Sequence, residues 1–214
     1  MADLQGRPFV YRYEPTVQSG VPVVLALHGT GGDEHDLVPV ARTIAPGCGV
    51  LSLRGPVLEQ GMPRFFRRLA EGVFDEEDLA RRTAELGDFL AAAAAHHGFD
   101  ASRLVAIGYS NGANIAASLL LTRPQALTGA VLFRPMVPFE PLAVPDLTGR
   151  AILVSAGERD PFIPRPLTAR LAQLLTAGGA DVTTRWYSGG HALSGREIEE
   201  AAEWFRPRFG PRIP

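Results

Sequence analysis

A chain of 214 residues, 46% of them hydrophobic, has the length and apolar content of one ordinary globular domain, expected to span residues 1–214. Its net charge of -2 and pI near 6.2 give no electrostatic footprint for nucleic acid. All 21 basic residues are arginine, which excludes a P-loop lysine, a Schiff-base lysine and a lysine-activated acylating serine.

Residues 1–12 lack the basic stretch followed by an apolar one that marks a secretory leader, and no apolar run approaches the roughly eighteen residues of a membrane span. A cytoplasmic protein without stable membrane insertion is expected. Residues 8–13 precede any helical pattern and suit an antiparallel edge strand. Residues 21–27 form a short Val/Leu run bounded by Gly20 and Gly29, as in a strand buried on both faces. His28-Gly29-Thr30-Gly31-Gly32 follows, and its glycines let a backbone amide come close to a reacting oxygen. A helix is expected over 37–44. Cys48, the single cysteine, then reads as a small buried apolar residue that can form no intrachain disulfide, and a strand follows over 49–53.

The connection to the next helix, which starts near Glu76, is longer than an ordinary loop and contains Gly61-Met62-Pro63-Arg64-Phe65-Phe66. Arg64, Arg67 and Arg68 form a local basic cluster that reads either as a solvated face or as support for a loop near a site. The helix over 76–97 ends in His96 and His97, neighbours expected to be solvated and to point in different directions, so they do not form a shared metal site.

Residues 103–107 read as a buried strand and 113–121 as a helix, with Gly108-Tyr109-Ser110-Asn111-Gly112 between them. That is the strand-turn-helix setting in which a G-x-S-x-G elbow holds a nucleophilic serine above a sheet. Further strands are expected over 130–133, 151–155 and 182–186, with helices over 166–177 and 198–206. Only about fifteen residues, 134–148, separate two of these strands, too few for a lid domain, so an open site is expected. Strands alternating with helices indicate an α/β fold with a mostly parallel sheet flanked by helices on both faces. Ligands in such sheets gather at the carboxyl ends of the strands. Three segments with candidate residues lie at such ends: the HGTGG loop, Glu158-Arg159-Asp160 and Gly189-Gly190-His191.

A serine also suits a helix N-cap, and its hydroxyl becomes nucleophilic only beside a base. Without lysine, histidine is the base available near neutral pH. Of five histidines, His191 follows a late strand, where a turn histidine is the plain alternative. His28 reads as a structural part of its loop and His35 as capping or packing on the following helix. Asp160, Glu158 and Asp146 are the available orienting acids. Asn111, directly after the elbow serine, offers one oxyanion N–H.

The chain order Ser110, Asp160, His191 resembles the α/β-hydrolase fold. With the short length, the motifs HGTGG, GYSNG, ERDPFIP and SGGHAL are similar to the phospholipase/carboxylesterase family of small serine esterases, over residues 21–205. The resemblance implies a serine hydrolase without a separate cap domain, cleaving small to medium carboxylic esters through an acyl-enzyme on Ser110. His191 would be its base and acid. The resemblance also favours Asp160 as orienting acid, because it immediately precedes the Pro161–Pro164 turn, and gives the second oxyanion N–H to Thr30. Phe65, Phe66 and Phe162 are candidate substrate-binding residues. For Phe65 and Phe66 a hydrophobic cluster under the loop is the equal alternative.

No cofactor, metal or nucleic acid is expected. The implied partner is a small-molecule ester, and a homodimer is a candidate because dimers occur among the proteins resembled. Acyl thioester or lysophospholipid cleavage by the same triad stays open, as does a non-catalytic homologue that binds a small hydrophobic ligand. Dienelactone hydrolases share the fold but use cysteine at the elbow, and Cys48 is far from Ser110 in the motif order. RFFRRLAEG and FDEEDL resemble quinone-stress-associated esterases, a hint of aromatic metabolites.

Overall fold

The computed structural model describes residues 4, 8–18 and 20–211. In chain order its strands are β1 (Val10–Glu14), β2 (Val23–Leu27), β3 (Gly49–Arg54), β4 (Val57–Glu59), β5 (Met62–Arg64), β6 (Arg68–Ala70), β7 (Val73–Phe74), β8 (Leu104–Tyr109), β9 (Gly129–Phe133), β10 (Ala151–Gly157) and β11 (Asp181–Tyr187). The helices are α1 (Val38–Ile44), α2 (Glu76–His97), α3 (Asn111–Thr122), α4 (Arg165–Ala177) and α5 (Gly195–Phe209).

Seven strands make one sheet in the order β1-β3-β2-β8-β9-β10-β11. All neighbours in it are parallel except β1, which pairs antiparallel with β3 through Tyr11 opposite Leu53. The expected edge strand is therefore present, shifted by one or two residues.

Alternation along each strand divides the core. Leu25, Leu27, Leu51, Leu53, Ala106 and Leu132 point to one face, where Leu79, Leu86, Phe89, Leu119 and Leu171 of α2, α3 and α4 cover them. Val24, Ala26, Val50, Val105, Ile107 and Phe133 point to the other, beneath Val38 and Ala41 of α1 and Trp204 and Phe205 of α5. Because both faces are covered, the inner strands β2, β3, β8, β9 and β10 read as apolar runs rather than alternating ones, whereas the edge strands β1 and β11 are partly exposed and mixed in sequence.

The helix ends follow local chemistry. The Asp75 carboxylate accepts the Asp78 N–H at the start of α2, and Gly98 ends it with φ of 74°. At α5, Ser194 and Glu197 form a reciprocal capping box.

The long connection after β3 folds into two small hairpins, β4–β5 and β6–β7, which the apolar pattern does not announce. By contrast, the connection after β9, residues 134–150, is irregular throughout and contains no lid domain.

Candidate active site

The elbow is built by two glycines and one strained residue. A Cβ on Gly108 would lie 2.7 Å from Ala113 Cα and 2.7 Å from Gly112 O, and one on Gly112 would run into the Leu27 carbonyl of the neighbouring strand. Only glycine lets β8 turn so sharply into α3 while α3 starts against the end of β2. Ser110 sits between them at φ 53° and ψ -112°, a region that non-glycine residues seldom occupy. Its N–H donates to Phe133 O at 2.8 Å and its carbonyl accepts the Asn114 N–H at 3.0 Å. Ser110 occupies the N-cap position of α3, yet its hydroxyl makes no cap bond. It lies 3.0 Å from His191 Nε2 instead.

His191 Nδ1 is 2.7 Å from Asp160 Oδ2. An ionised carboxylate only accepts, so Nδ1 carries the proton and Nε2 of the neutral ring faces Ser110 as an acceptor. Asp160 uses its other oxygen to hold its own turn: Oδ1 accepts the Phe162 N–H at 2.9 Å and the Ile163 N–H at 3.2 Å. The Asp160 side chain is 2% exposed and that of His191 20%. Glu158 and Asp146 are both exposed, and Asp146 accepts the Thr148 N–H. Of the three acids, Asp160 is the one at hydrogen-bond distance from His191.

Thr30, Ser110, Asn111 and His191 line one cavity of about 280 Å³, together with Arg64, Phe74, Tyr109, Met136 and Phe162. Asn111 is the first residue of α3, so its N–H has no carbonyl one turn back within the helix. Asn111 is 2% exposed, and its Oδ1 accepts the Phe65 N–H at 2.7 Å.

The HGTGG loop is held from both sides. His28 Nδ1 lies 2.5 Å from Gly29 O, and Nε2 accepts the Gly55 N–H at 2.9 Å. Those two partners fix a neutral ring protonated at Nδ1. Burial is the main reason its pKa is lowered, against the bond to Gly29 and the charges of Asp36 and Asp33, which raise it. His35 lies in the turn before α1 rather than on it, exposed, with its N–H on Asp33 Oδ1.

Arg64 gives the local basic cluster its role. It is 3% exposed, donates to Thr30 Oγ1 at 2.5 Å and Phe66 O at 3.2 Å, and pairs with Glu59 at 3.3 Å. Burial lowers its pKa while Glu59 raises it, and an arginine so placed keeps its charge. Arg68 shares Glu59 at 2.7 Å, whereas Arg67 reaches out to Asp75 with a 62% exposed side chain.

Two of the three expected substrate-binding aromatics require correction. Phe65 and Phe66 are fully buried and lie off the cavity wall. Phe65 packs on His28 with centroids 4.8 Å apart, and Phe66 packs edge-on against Phe74 at 4.9 Å. The hairpin folds them inward because burying two phenyl rings outweighs leaving them in an open cleft. Phe74 and Phe162 line the wall instead, and Phe162 stands edge-on to His191 at 5.2 Å, 46% exposed.

His96 is exposed as expected, whereas His97 is half-buried. Their rings meet edge-on at 4.7 Å, and His97 stacks on Tyr13 at 4.2 Å. Among the described residues, no three His, Cys, Asp or Glu side chains are grouped to hold a metal ion, and no helix is long and apolar enough to cross a membrane. Cys48 is half-buried, its thiol pushed up to about 11 by burial.

Sequence patterns missed Tyr109 and Arg134. Tyr109 donates its hydroxyl to His191 O at 3.1 Å, and burial raises its pKa. Its place as the variable residue of the elbow was the only signal. Arg134, just after β9, is buried beneath the His191 loop with no motif to mark it.

A family model, the Dienelactone hydrolase family, matches residues 10–203. The chain belongs to the dienelactone hydrolase family. This member has serine at the elbow, and its fold is of the α/β-hydrolase type. It is 50% identical over 184 residues to MhqD of Bacillus subtilis (strain 168), covering 86% of this chain and 92% of that one. Among solved structures, the Bacillus cereus carboxylesterase superposes with a TM-score of 0.92 at 49% identity, over 94% of this chain and 95% of that one. A carboxylesterase from Mesorhizobium loti gives a TM-score of 0.88 at 32% identity, over 97% and 98%. The resemblance to small α/β-hydrolase esterases is thereby borne out, and the protein is a hydrolase of that class.

Proposed function

We propose that this hydrolase cleaves small to medium carboxylic esters through an acyl-enzyme on Ser110. The observation that carries the reading is the unbroken chain of contacts from Ser110 Oγ to His191 Nε2 at 3.0 Å and from His191 Nδ1 to Asp160 Oδ2 at 2.7 Å. As Ser110 Oγ attacks the ester carbonyl, its proton passes to His191 Nε2, and Asp160 stabilises the imidazolium. The carbonyl oxygen becomes an oxyanion, and the N–H groups of Asn111 and Thr30 receive it as fixed dipoles needing no rearrangement. The bond to the leaving oxygen then breaks, and His191 returns the proton to the departing alcohol. Water, deprotonated by the same ring, releases the acid and restores Ser110.

A cavity of about 280 Å³ and the absence of a lid domain after β9 favour short acyl and aryl groups over long lipid chains. The names of the Bacillus cereus and Mesorhizobium loti carboxylesterases support ester substrates.

A fluorophosphonate probe should label wild-type protein on Ser110 and leave Ser110→Ala unlabelled, with turnover of a short aryl ester lost in step. Neither labelling nor turnover in folded wild-type protein would leave a ligand-binding homologue as the better description. Preference for a long-chain lysophospholipid would overturn the size assignment. Short thioesters beside matched esters determine which acyl bond is preferred.

A further inference from the structure

The loop carrying His191 rests on a buried charge pair that takes no part in the proposed proton transfers. Arg134 is 1% exposed and Glu197, in the first turn of α5, is 3% exposed. The guanidinium meets the carboxylate fork to fork, Nη1 donating to Oε2 at 2.6 Å and Nη2 to Oε1 at 2.9 Å. Nη1 also reaches Ser155 Oγ at 3.3 Å, and the other donors reach the main chain on either side of His191. Nε donates to Gly190 O at 2.9 Å and Nη2 to Ala192 O at 2.9 Å.

The surroundings lock that orientation. Ser155 Oγ donates to Glu197 Oε2 at 2.9 Å, and Ser194 Oγ donates to Oε1 at 3.1 Å. Burial pushes the Glu197 pKa up, but the bonds from Arg134, Ser155 and Ser194 outweigh it and leave it lowered, so the pair stays ionic. Arg134 itself has φ of 56° with its N–H on Ser155 O at 2.7 Å, a left-handed backbone that a side chain tolerates only when its surroundings hold it.

A buried ion pair is a poor device for stability alone, since apolar groups of equal volume commonly do as well. Apolar groups cannot, however, aim separate donors at two carbonyls two residues apart, and lysine offers a point charge where arginine offers a planar fork. We propose that Arg134, oriented by Glu197, is the positioning residue for His191: it fixes residues 190–192 so that Nε2 stands within reach of Ser110. The inference rests on the reading of His191 as base. Tyr109, on the His191 carbonyl, is the third fixed point of the same loop.

Two variants test it. Arg134→Lys keeps a cation before Glu197 but loses the fork, and the double variant Arg134→Met/Glu197→Gln removes both charges so that neither is left buried alone. Each is compared with wild type for kcat and KM on a short aryl ester, for the rate of fluorophosphonate labelling, and for Tm. A misplacement near 1 Å can cost about a hundredfold in rate. The double variant should therefore lose about a hundredfold in kcat and in labelling rate, with KM within about threefold and a cooperative melt. Arg134→Lys should fall between the two.

Folded variants with wild-type kcat and labelling rates would overturn the proposal, as would a rise confined to KM. Failure of even Arg134→Lys to fold would assign the pair to stability and overturn it equally. Normal labelling of wild type with unchanged Arg134 variants sinks this inference alone. An unlabelled wild type together with an active Ser110→Ala brings down the hydrolysis reading and this one with it.

Discussion

Asp160 divides its carboxylate between His191 and its own turn, Oδ2 lying 2.7 Å from His191 Nδ1 while Oδ1 accepts the Phe162 and Ile163 N–H groups. The division makes the acid rigid as well as charged. It also couples His191 to Phe162, whose ring stands edge-on to the imidazole on the cavity wall.

Asp160→Asn should leave the turn intact, because the amide oxygen can still accept the Phe162 and Ile163 N–H groups. The amide NH₂ then faces His191, which turns Nδ1 into an acceptor and puts the ring proton on Nε2, toward Ser110. A serine facing a donor has no base, so kcat should drop about a thousandfold or more while Tm moves little. Steady-state kinetics beside a melting curve checks it, and a loss below about tenfold would remove Asp160 from its assigned role.

Ser110 itself makes the fold pay for chemistry. At φ 53° and ψ -112° it stores backbone strain of about 1–3 kcal/mol. Ser110→Ala keeps that strain and loses the hydroxyl, whereas Ser110→Gly loses both. Glycine gives back roughly 0.5–1 kcal/mol through the entropy of the unfolded chain. Net, Ser110→Gly should be more stable than Ser110→Ala by about 1 kcal/mol in urea titration, with both inactive. Equal midpoints would mean that the elbow is unstrained.

The sheet and the three widely spaced residues that meet at the cavity were legible because each follows a segment that reads as a strand: β8 and β10, before Ser110 and Asp160, are buried apolar runs, while the partly exposed edge strand β11 before His191 is marked only by its β-branched and aromatic residues. Residues 57–74 were not legible. Their hairpins are short, their strands two or three residues long, and the side chains that decide the packing, Phe65 and Phe66, look the same in sequence whether they face a cleft or a core. Arg134 was invisible for a different reason. Its partners, Gly190, Ala192 and Glu197, come together only through the register of β9, β10 and β11, and two of the three contribute only backbone carbonyls.

Arg64 should matter through Thr30. Arg64→Met keeps much of the volume but removes the donor to Thr30 Oγ1 and Phe66 O, while Glu59 retains Arg68. Loss of such charged bonds in a buried setting costs about 1–3 kcal/mol. With the Thr30 segment loosened, its N–H loses a fixed position, and kcat should fall about tenfold, short of the hundredfold or more for losing an oxyanion donor outright. Arg67→Ala, at an exposed side chain, is the control and should change neither stability nor kcat measurably. An Arg64→Met enzyme with wild-type kcat would detach the hairpin from the oxyanion site.

His28 should make the fold sensitive to mild acid. Burial lowers its pKa below that of the unfolded chain, so the native state prefers the neutral ring, and the Gly55 N–H needs Nε2 as an acceptor. The unfolded state therefore binds more protons, and stability rises with pH across the interval between the two pKa values. The contribution is complete above the unfolded value near 6.5 and is lost as pH falls below it, at up to about 1.4 kcal/mol per pH unit. His28→Asn keeps a donor for Gly29 O but cannot be protonated. Urea titrations of both proteins at several pH values from 7.5 to 5 should give a stability difference that is largest at the upper end and shrinks steadily below about 6.5. His97, also lowered by burial, is common to both proteins and cancels in that difference. A difference that stays constant with pH would mean that His28 takes up its proton as readily in the folded protein as in the unfolded one, and that the loop carrying Thr30 is held without the Gly55 bond.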